Sequence, residues 1–247
     1  MPFLIALAGK GGTGKTTLAG MLIKYLVSKG KIPVLAIDAD SNANLNDVLG
    51  LEVADTVGNA REDVKNGNVP INMSKHVFMS MKLERAIIEA DGYDLLVMGQ
   101  PEGAGCYCAV NNLLTGFMDR LSNNYPYIVM DNEAGMEHIS RLTTKNVDLL
   151  LVVSDTSKRS LQTASRINEL AKNLSIVSGK SYLVLNKADR ALPDHVLNMI
   201  KNNEIVGTIP EDDAIYKYDL NGRPTIELPH DNQAVKAAFK IFDTIIN

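Results

Sequence analysis

The stretch that decides the fold follows the first apolar run of the chain and reads Gly9-Lys10-Gly11-Gly12-Thr13-Gly14-Lys15-Thr16-Thr17. Its spacing matches a loop that binds nucleotide phosphates between a strand and a helix. The glycines let consecutive backbone N–H groups point at one anion, and the start of the helix adds partial positive charge. The alternative is a glycine turn that binds nothing, and the agreement of motif and context argues against it.

Two lysines and a threonine of this stretch carry the expected chemistry. In the pattern, Lys15 holds the β- and γ-phosphates, and the hydroxyl of Thr16 binds Mg²⁺. Lys10 is a second lysine inside the loop, where an ordinary phosphate loop needs no charge. Its side chain is either simply solvated or has a separate functional role.

Short apolar runs alternate with helical patterns along the rest of the chain. Predicted strands cover Phe3–Ala8, Val34–Ile37, Asp94–Met98, Tyr127–Met130, Leu149–Val153, Tyr182–Leu185 and Ile205–Ile209. Continuous apolar strands are usually covered on both faces, and strands separated by helices need crossover connections. We therefore expect an α/β fold, a doubly wound and mostly parallel sheet in a single domain over residues 1–247. The segment from Asp55 to His76 shows no clear pattern.

Composition excludes several classes of protein. The 247 residues are 45% apolar and 22% charged, with a net charge of −4, so the chain is neither disordered nor fibrous. No Lys/Arg-rich run predicts nucleic-acid binding. The run Phe3–Ala8 is too short to span a membrane and lacks the basic flank of a signal peptide, so we expect a cytoplasmic protein. The C-terminal helix carries only Lys236 and Lys240, which favours a core-closing helix over a membrane-surface helix.

Acidic residues stand at the ends of two predicted strands. Asp38 and Asp40 end the second strand, and Asp131 and Glu133 follow the fourth. A site that transfers phosphoryl groups needs one acidic group to anchor Mg²⁺ and a polar group to orient the attacking water. The alternative is that these side chains only cap helices or turns.

The two cysteines, Cys106 and Cys108, lie in a glycine-rich loop after the third predicted strand. They are too close to form an unstrained disulfide, and two thiolates fill only half of a tetrahedral metal site. A dimer with a two-fold axis would supply four sulfurs, and a tetrahedron of four thiolates suits Zn²⁺ well, while Ni²⁺ also accepts square-planar sites. Two inert buried thiols are the alternative.

The segment Lys10–Thr16 resembles the deviant phosphate loop of the MinD, ParA and nitrogenase iron-protein ATPases. The resemblance implies a homodimer that sandwiches the nucleotides, with Lys10 of one copy stabilising charge at the nucleotide of the other. It also implies that Asp131 anchors Mg²⁺, that Asp40 orients or activates water, and that Asp38 supports the magnesium through water.

A base-reading turn is also present. Asn186-Lys187-Ala188-Asp189 resembles the turn that reads the base in proteins with a phosphate loop, and from its residues alone both ATP and GTP are open. The same family resemblance implies ATP, and Pro210-Glu211-Asp212 looks like the family's second base-contacting segment. An ordinary surface turn is the alternative.

Three further segments narrow the resemblance. They are Gly99-Gln100-Pro101-Glu102-Gly103-Ala104-Gly105-Cys106-Tyr107-Cys108, Asn111-Asn112-Leu113-Leu114 and Asp131-Asn132-Glu133-Ala134-Gly135-Met136-Glu137-His138. Together they are similar to the CooC/AcsF group, accessory ATPases that help mature the nickel sites of carbon monoxide dehydrogenase and acetyl-CoA synthase. The resemblance implies a metallochaperone that takes nickel as its cargo and one of those enzymes as its client. Gln100 stands where many relatives have arginine.

The residues are also compatible with two alternative functions. Four thiolates across a dimer could hold an iron–sulfur cluster, as in an electron-transfer ATPase similar to the nitrogenase iron protein. A MinD/ParA-type positioning ATPase would bind DNA or lipid, which the acidic balance does not favour. His138 is interpreted as structural, because a lone histidine is weak evidence for a metal site.

Overall fold

The segment Gly9–Thr17 lies at the edge of the sheet that the carboxyl ends of the parallel strands form. The computed structural model describes residues 2–40, 42, 44–99, 116–132, 147–173, 177–188, 200 and 203–246. Within these ranges one sheet has the order β3-β4-β2-β5-β1-β6-β7-β8. Its strands are β1 Phe3–Gly9, β2 Val34–Ala39, β3 Ile87–Ala90, β4 Tyr93–Val97, β5 Tyr127–Asn132, β6 Val147–Ser154, β7 Val177–Leu185 and β8 Ile205–Thr208. Every pair is parallel except β3 with β4, which confirms the expected mostly parallel sheet.

Helices cover both faces of this sheet. They are α1 Lys15–Ser28, α2 Leu45–Leu49, α3 Val57–Lys65, α4 Lys75–Arg85, α5 Lys158–Asn173, α6 Asp213–Leu220 and α7 Gln233–Ile245. Residues of β1 alternate between two apolar clusters: Leu4 and Ala6 belong to the cluster with α3, α4 and α5, whereas Ile5 and Leu7 belong to the cluster with α1 and α7. Period-two alternation of buried residues is what a strand covered on both faces requires.

The two ends of α1 are set by glycines. Gly14 precedes the helix in the left-handed region, with a φ of 86°. At the other end Gly30 has a φ of 68°, its N–H donates to Val27 O, and the N–H of Lys31 donates to Leu26 O. These two bonds form the motif in which a left-handed glycine ends a helix.

The C-terminal helix α7 packs against α1. Phe242 is fully buried, and its ring lies 5.4 Å from the ring of Tyr25. Phe239 makes an edge-to-face contact with the same tyrosine at 5.3 Å. The apolar face of α7 is therefore used inside the protein, as the sequence indicated. Within the described ranges, no helix combines the length and hydropathy that crossing a bilayer needs.

Two elements differ from the sequence prediction. The strand β3 was not predicted; it is a short, half-exposed edge strand that follows α4 directly and turns into β4 through Asp91 and Gly92. The segment without a clear pattern contains α3 and the start of α4. Thr56 caps α3 by accepting a hydrogen bond from Asn59 N at 3.2 Å. Helix α3 is short and has too few buried residues to give a recognisable helical pattern in the sequence.

Candidate functional site

The loop between β1 and α1 has the backbone that an anion site needs. Helix α1 begins without a side-chain cap and without an acidic residue in its first turn, so its first N–H groups face the loop unpaired by side chains. A Cβ at Gly9 would lie 2.2 Å from Val153 O, and a Cβ at Gly14 would lie 2.3 Å from Asn186 Nδ2. The Val153 backbone thus excludes a side chain at Gly9, whereas at Gly14 a side chain would be strained by the left-handed backbone and would displace the Asn186 amide.

The two lysines of the loop are placed differently. Lys15 is only 7% exposed, and its Nζ donates to the carbonyl oxygen of Lys10 at 3.3 Å. The Thr13 hydroxyl donates to the same oxygen at 2.8 Å. The side chain of Lys10 is itself exposed. Lys15 is therefore held within the loop, whereas Lys10 is available to a group outside it.

Asp131 lies at the end of β5, beside the start of α1. It is 1% exposed, the Thr16 hydroxyl donates a hydrogen bond to it, and its Oδ1 has no hydrogen-bond partner. Burial raises the pKa of Asp131 to about 7; the Thr16 hydrogen bond opposes this rise, and the charge of Asp38 adds to it. A buried, unpartnered carboxylate oxygen next to a hydroxyl fits the oxygen donor set of Mg²⁺. The residues present are therefore suited to hold this ion.

Asp38 sits directly opposite Asp131 in the register of β2 and β5. Its Oδ1 accepts from the N–H of Asp40 at 3.1 Å, and its Oδ2 accepts from the N–H of Leu45 at 2.9 Å. Burial raises the pKa of this carboxyl. Asp40 in turn accepts from the N–H of Asn42 at 2.9 Å. Asp38 thus shapes the loop that carries Asp40 at the edge of the site.

The turn after β7 is tied to the phosphate loop. Asn186 Nδ2 donates to Thr13 O at 2.8 Å, and Lys187 Nζ donates to Gly12 O at 3.3 Å. One N–H of the Asn186 amide donates to the loop, which leaves its second N–H and its Oδ1 for a base. The predicted base-reading turn and the phosphate loop therefore form one unit.

A cavity of about 620 Å³ extends from the start of α1 to α6. Its lining includes the predicted nucleotide residues Thr16, Thr17, Asn186, Lys187, Pro210, Glu211 and Asp212. Asp212 is already engaged: Oδ1 accepts from Ala214 N at 2.8 Å and Oδ2 accepts from Asn232 Nδ2 at 2.9 Å. Its carboxylate fixes the start of α6. The cavity begins at Thr16, next to the phosphate loop, so one nucleotide can occupy both the loop and the cavity.

Comparison with known proteins decides what this site is. The chain matches the CbiA family, the CobQ/CobB/MinD/ParA nucleotide binding domain, over residues 4–226. The chain belongs to this family. An uncharacterized ATP-binding protein of Methanocaldococcus jannaschii is 42% identical over 99% of this chain and 98% of its own length. The carbon monoxide dehydrogenase accessory protein CooC of Rhodospirillum rubrum is 32% identical over 91% of this chain and 89% of its own.

Solved structures show the same fold. MinD of Pyrococcus furiosus superposes with a TM-score of 0.72 at 24% identity, covering 99% of this chain and 98% of that one. The complex of MinD with Mg-ADP from Pyrococcus horikoshii gives 0.72 at 21% identity, covering 100% and 97%. Members of the MinD/ParA family are ATP-binding and ATP-hydrolysing enzymes, and this chain is an ATPase of that family.

Several predicted residues of this MinD/ParA-type ATPase lie outside the described ranges. They are Cys106, Cys108, Gln100, Glu133, Gly135, His138 and Asp189. The prediction, in turn, missed one wall of the cavity, formed by residues 44–52 and 215–225. No motif marks this wall, because its residues meet only after α2 and α6 pack near α1.

Proposed function

We propose that this chain is an ATP-hydrolysing metallochaperone that supplies nickel to the active site of carbon monoxide dehydrogenase or acetyl-CoA synthase. The observation that carries the proposal is the 32% identity to CooC over nine-tenths of the chain, on top of a complete phosphate loop. The pair Cys106 and Cys108 supplies the metal chemistry that a MinD-type ATPase does not otherwise need.

The nucleotide chemistry follows from the residues at the strand ends. Lys15 and the backbone N–H groups at the start of α1 hold the phosphates. Thr16 and Asp131 hold Mg²⁺, with Asp38 supporting it through water. The bound ion neutralises charge on the phosphate oxygens. Asp40, on the loop that Asp38 organises, orients the attacking water.

Dimerisation completes the site. Lys10 is exposed, and in the proposed homodimer it reaches the partner's nucleotide and stabilises charge there as an arginine finger does. Two copies also bring together four thiolates from Cys106 and Cys108, so that nickel, the cargo, binds tightly only in the closed dimer. ATP binding and hydrolysis then control metal capture and release.

The metal site is tested with the doubly substituted variant Cys106→Ala/Cys108→Ala. We expect the wild type to retain about one Ni²⁺ or Zn²⁺ per dimer with Mg·ATP, as four shared thiolates require, and the variant to retain none. Tyr107→Phe, which changes the residue between the two thiols, is the matched control and should bind metal as the wild type does. Metal analysis after dialysis gives the stoichiometry, and undiminished metal in the cysteine-free variant would end the proposal.

Positioning at a membrane is the second candidate, favoured by the likeness to MinD structures. It requires an apolar helix that is free to meet lipid, whereas α7 packs its apolar face on α1. Co-sedimentation with anionic vesicles in the presence of ATP would support it. The iron–sulfur alternative predicts broad visible absorbance after anaerobic purification, and a colourless protein counts against it.

A further inference from the structure

Helix α6 forms part of the cavity wall without contributing a buried side chain to the protein. Asp212 and Asn232 fix its start, and Ile215 and Tyr218 pack partly against the cluster around α1. Tyr216 is not part of that packing: it is 65% exposed and lines the cavity that begins at Thr16. A large aromatic side chain on a cavity wall is available to contact a ligand in that cavity.

The ring of Tyr216 is free, unlike that of its neighbour. The guanidinium of Arg223 lies 4.3 Å from the ring centre of Tyr218, so that ring is already covered. Among the residues that the structure describes, no ring or cation contacts Tyr216. Three nearby lining residues, Pro210, Ile215 and Pro224, offer apolar surface. The cavity thus presents a flat aromatic face and apolar walls in addition to the residues next to the phosphate loop.

We propose that Tyr216 stacks on the base of the nucleotide whose phosphates lie in the loop. The proposal rests on the ATP binding of the proposed function, but not on its metal site or client. A base is flat and largely apolar on its faces, and stacking on an aromatic side chain is worth a loss of about 5- to 100-fold in affinity when the side chain is removed. Stacking involves the base and not the phosphates, so the expected contribution of Tyr216 is to the base alone.

The absence of tryptophan in the chain allows a direct test. Tyr216→Trp places the only tryptophan of the chain on the proposed stacking position. Under excitation selective for tryptophan, ATP should quench its emission whereas inorganic tripolyphosphate should not. Leu220→Trp is the matched control, since Leu220 is 69% exposed one turn further along α6 and does not line the cavity. Its emission should stay constant with both ligands. Unchanged emission of Tyr216→Trp at ATP saturation, established by calorimetry, overturns the proposal.

Affinities provide the second readout. Tyr216→Ala should weaken ATP binding by about 5- to 100-fold and leave the affinity for tripolyphosphate unchanged, while Tyr216→Phe should bind ATP as the wild type does. Wild-type ATP affinity in Tyr216→Ala, or an equal loss for tripolyphosphate, contradicts stacking on the base. A wild type that binds no ATP would instead refute the proposed function itself, so the two failures are distinguishable.

Discussion

The two lysines of the phosphate loop differ in burial, and that difference determines what each can contact. Lys15 is buried and already bonded to a carbonyl of the loop, a bond that phosphate oxygens can replace. Lys10 is exposed, and only its carbonyl takes part in the loop. The ammonium group of Lys10 can therefore contact a second molecule without breaking a hydrogen bond within its own loop.

Substituting each lysine should therefore have a different effect. Lys15→Ala should abolish nucleotide binding. Lys10→Ala should leave ATP affinity within about twofold of the wild type, yet lower the hydrolysis rate by roughly 100-fold or more, as loss of a charge supplied in trans does. Calorimetry measures binding, and phosphate release measures turnover. Wild-type hydrolysis in Lys10→Ala would exclude the role in trans.

Asp131 carries a buried carboxyl whose cost of ionisation depends on pH. Its pKa is about 7 in the folded protein, mainly because of burial, against 3.8 for an unperturbed side chain. Between these two values the folded state keeps a proton that the unfolded state has lost. Without Mg²⁺, this group therefore contributes less and less to stability as the pH rises from about 4 to about 7.

Asp131→Asn should remove that pH dependence. At pH 8 without Mg²⁺ the variant should be more stable than the wild type, by on the order of a few kcal/mol, and the difference should shrink towards pH 4. Asp63 is the opposite control, since its hydrogen bond to Lys82 lowers its pKa; Asp63→Asn should lose stability at pH 8. Urea unfolding at several pH values measures both. A less stable Asp131→Asn at pH 8 contradicts the assigned burial cost.

At the scale of elements, the phosphate loop and the turn after β7 hold each other in place. Gly14 lies in the left-handed region, and its open side is filled by the amide of Asn186, which also donates to Thr13 O. Gly12 is left-handed too, with a φ of 81°, but a Cβ there would meet nothing within 4 Å. Gly11 has neither restriction. A comparison of these three positions therefore distinguishes the effect of backbone strain from the effect of a steric clash.

Alanine at these three positions should destabilise the folded protein in a fixed order. Gly11→Ala should change stability little, Gly12→Ala should cost about 1–2 kcal/mol for the left-handed backbone, and Gly14→Ala should cost more because Asn186 must also move. Thermal and urea unfolding of the nucleotide-free protein measure the order. Equal stabilities of Gly12→Ala and Gly14→Ala would mean that the contact with Asn186 does not matter.

The elements also show what sequence patterns can and cannot predict. Buried strands and the loop after β1 were predictable, because long apolar runs and a glycine-rich motif depend on local sequence. The edge strand β3 was missed although Asp91-Gly92 between two apolar runs is typical of a hairpin. The bond from Asn186 to Thr13 O joins residues 173 positions apart, and no local pattern reports it.

At the scale of the whole molecule, the proposed homodimer links the nucleotide site to the metal site. Lys10 is exposed, and the described residues that fit phosphates and Mg²⁺ lie within one chain. In the proposed homodimer, the two thiols of Cys106 and Cys108 would supply half of a tetrahedral site. The sequence predicted the nucleotide residues, and the structure places those that it describes at one edge of the sheet. The proposed metal site depends on contacts between copies, which the pattern of one chain does not fix.

The most direct measurement is the mass in solution, by light scattering, with and without Mg·ATP and Ni²⁺. We expect a mass twice that of one chain when nucleotide and metal are both present, and return to the single-chain mass after hydrolysis and chelation. Lys10→Ala should shift this equilibrium towards the single chain. A single-chain mass under every combination of nucleotide and metal would contradict the proposed homodimer.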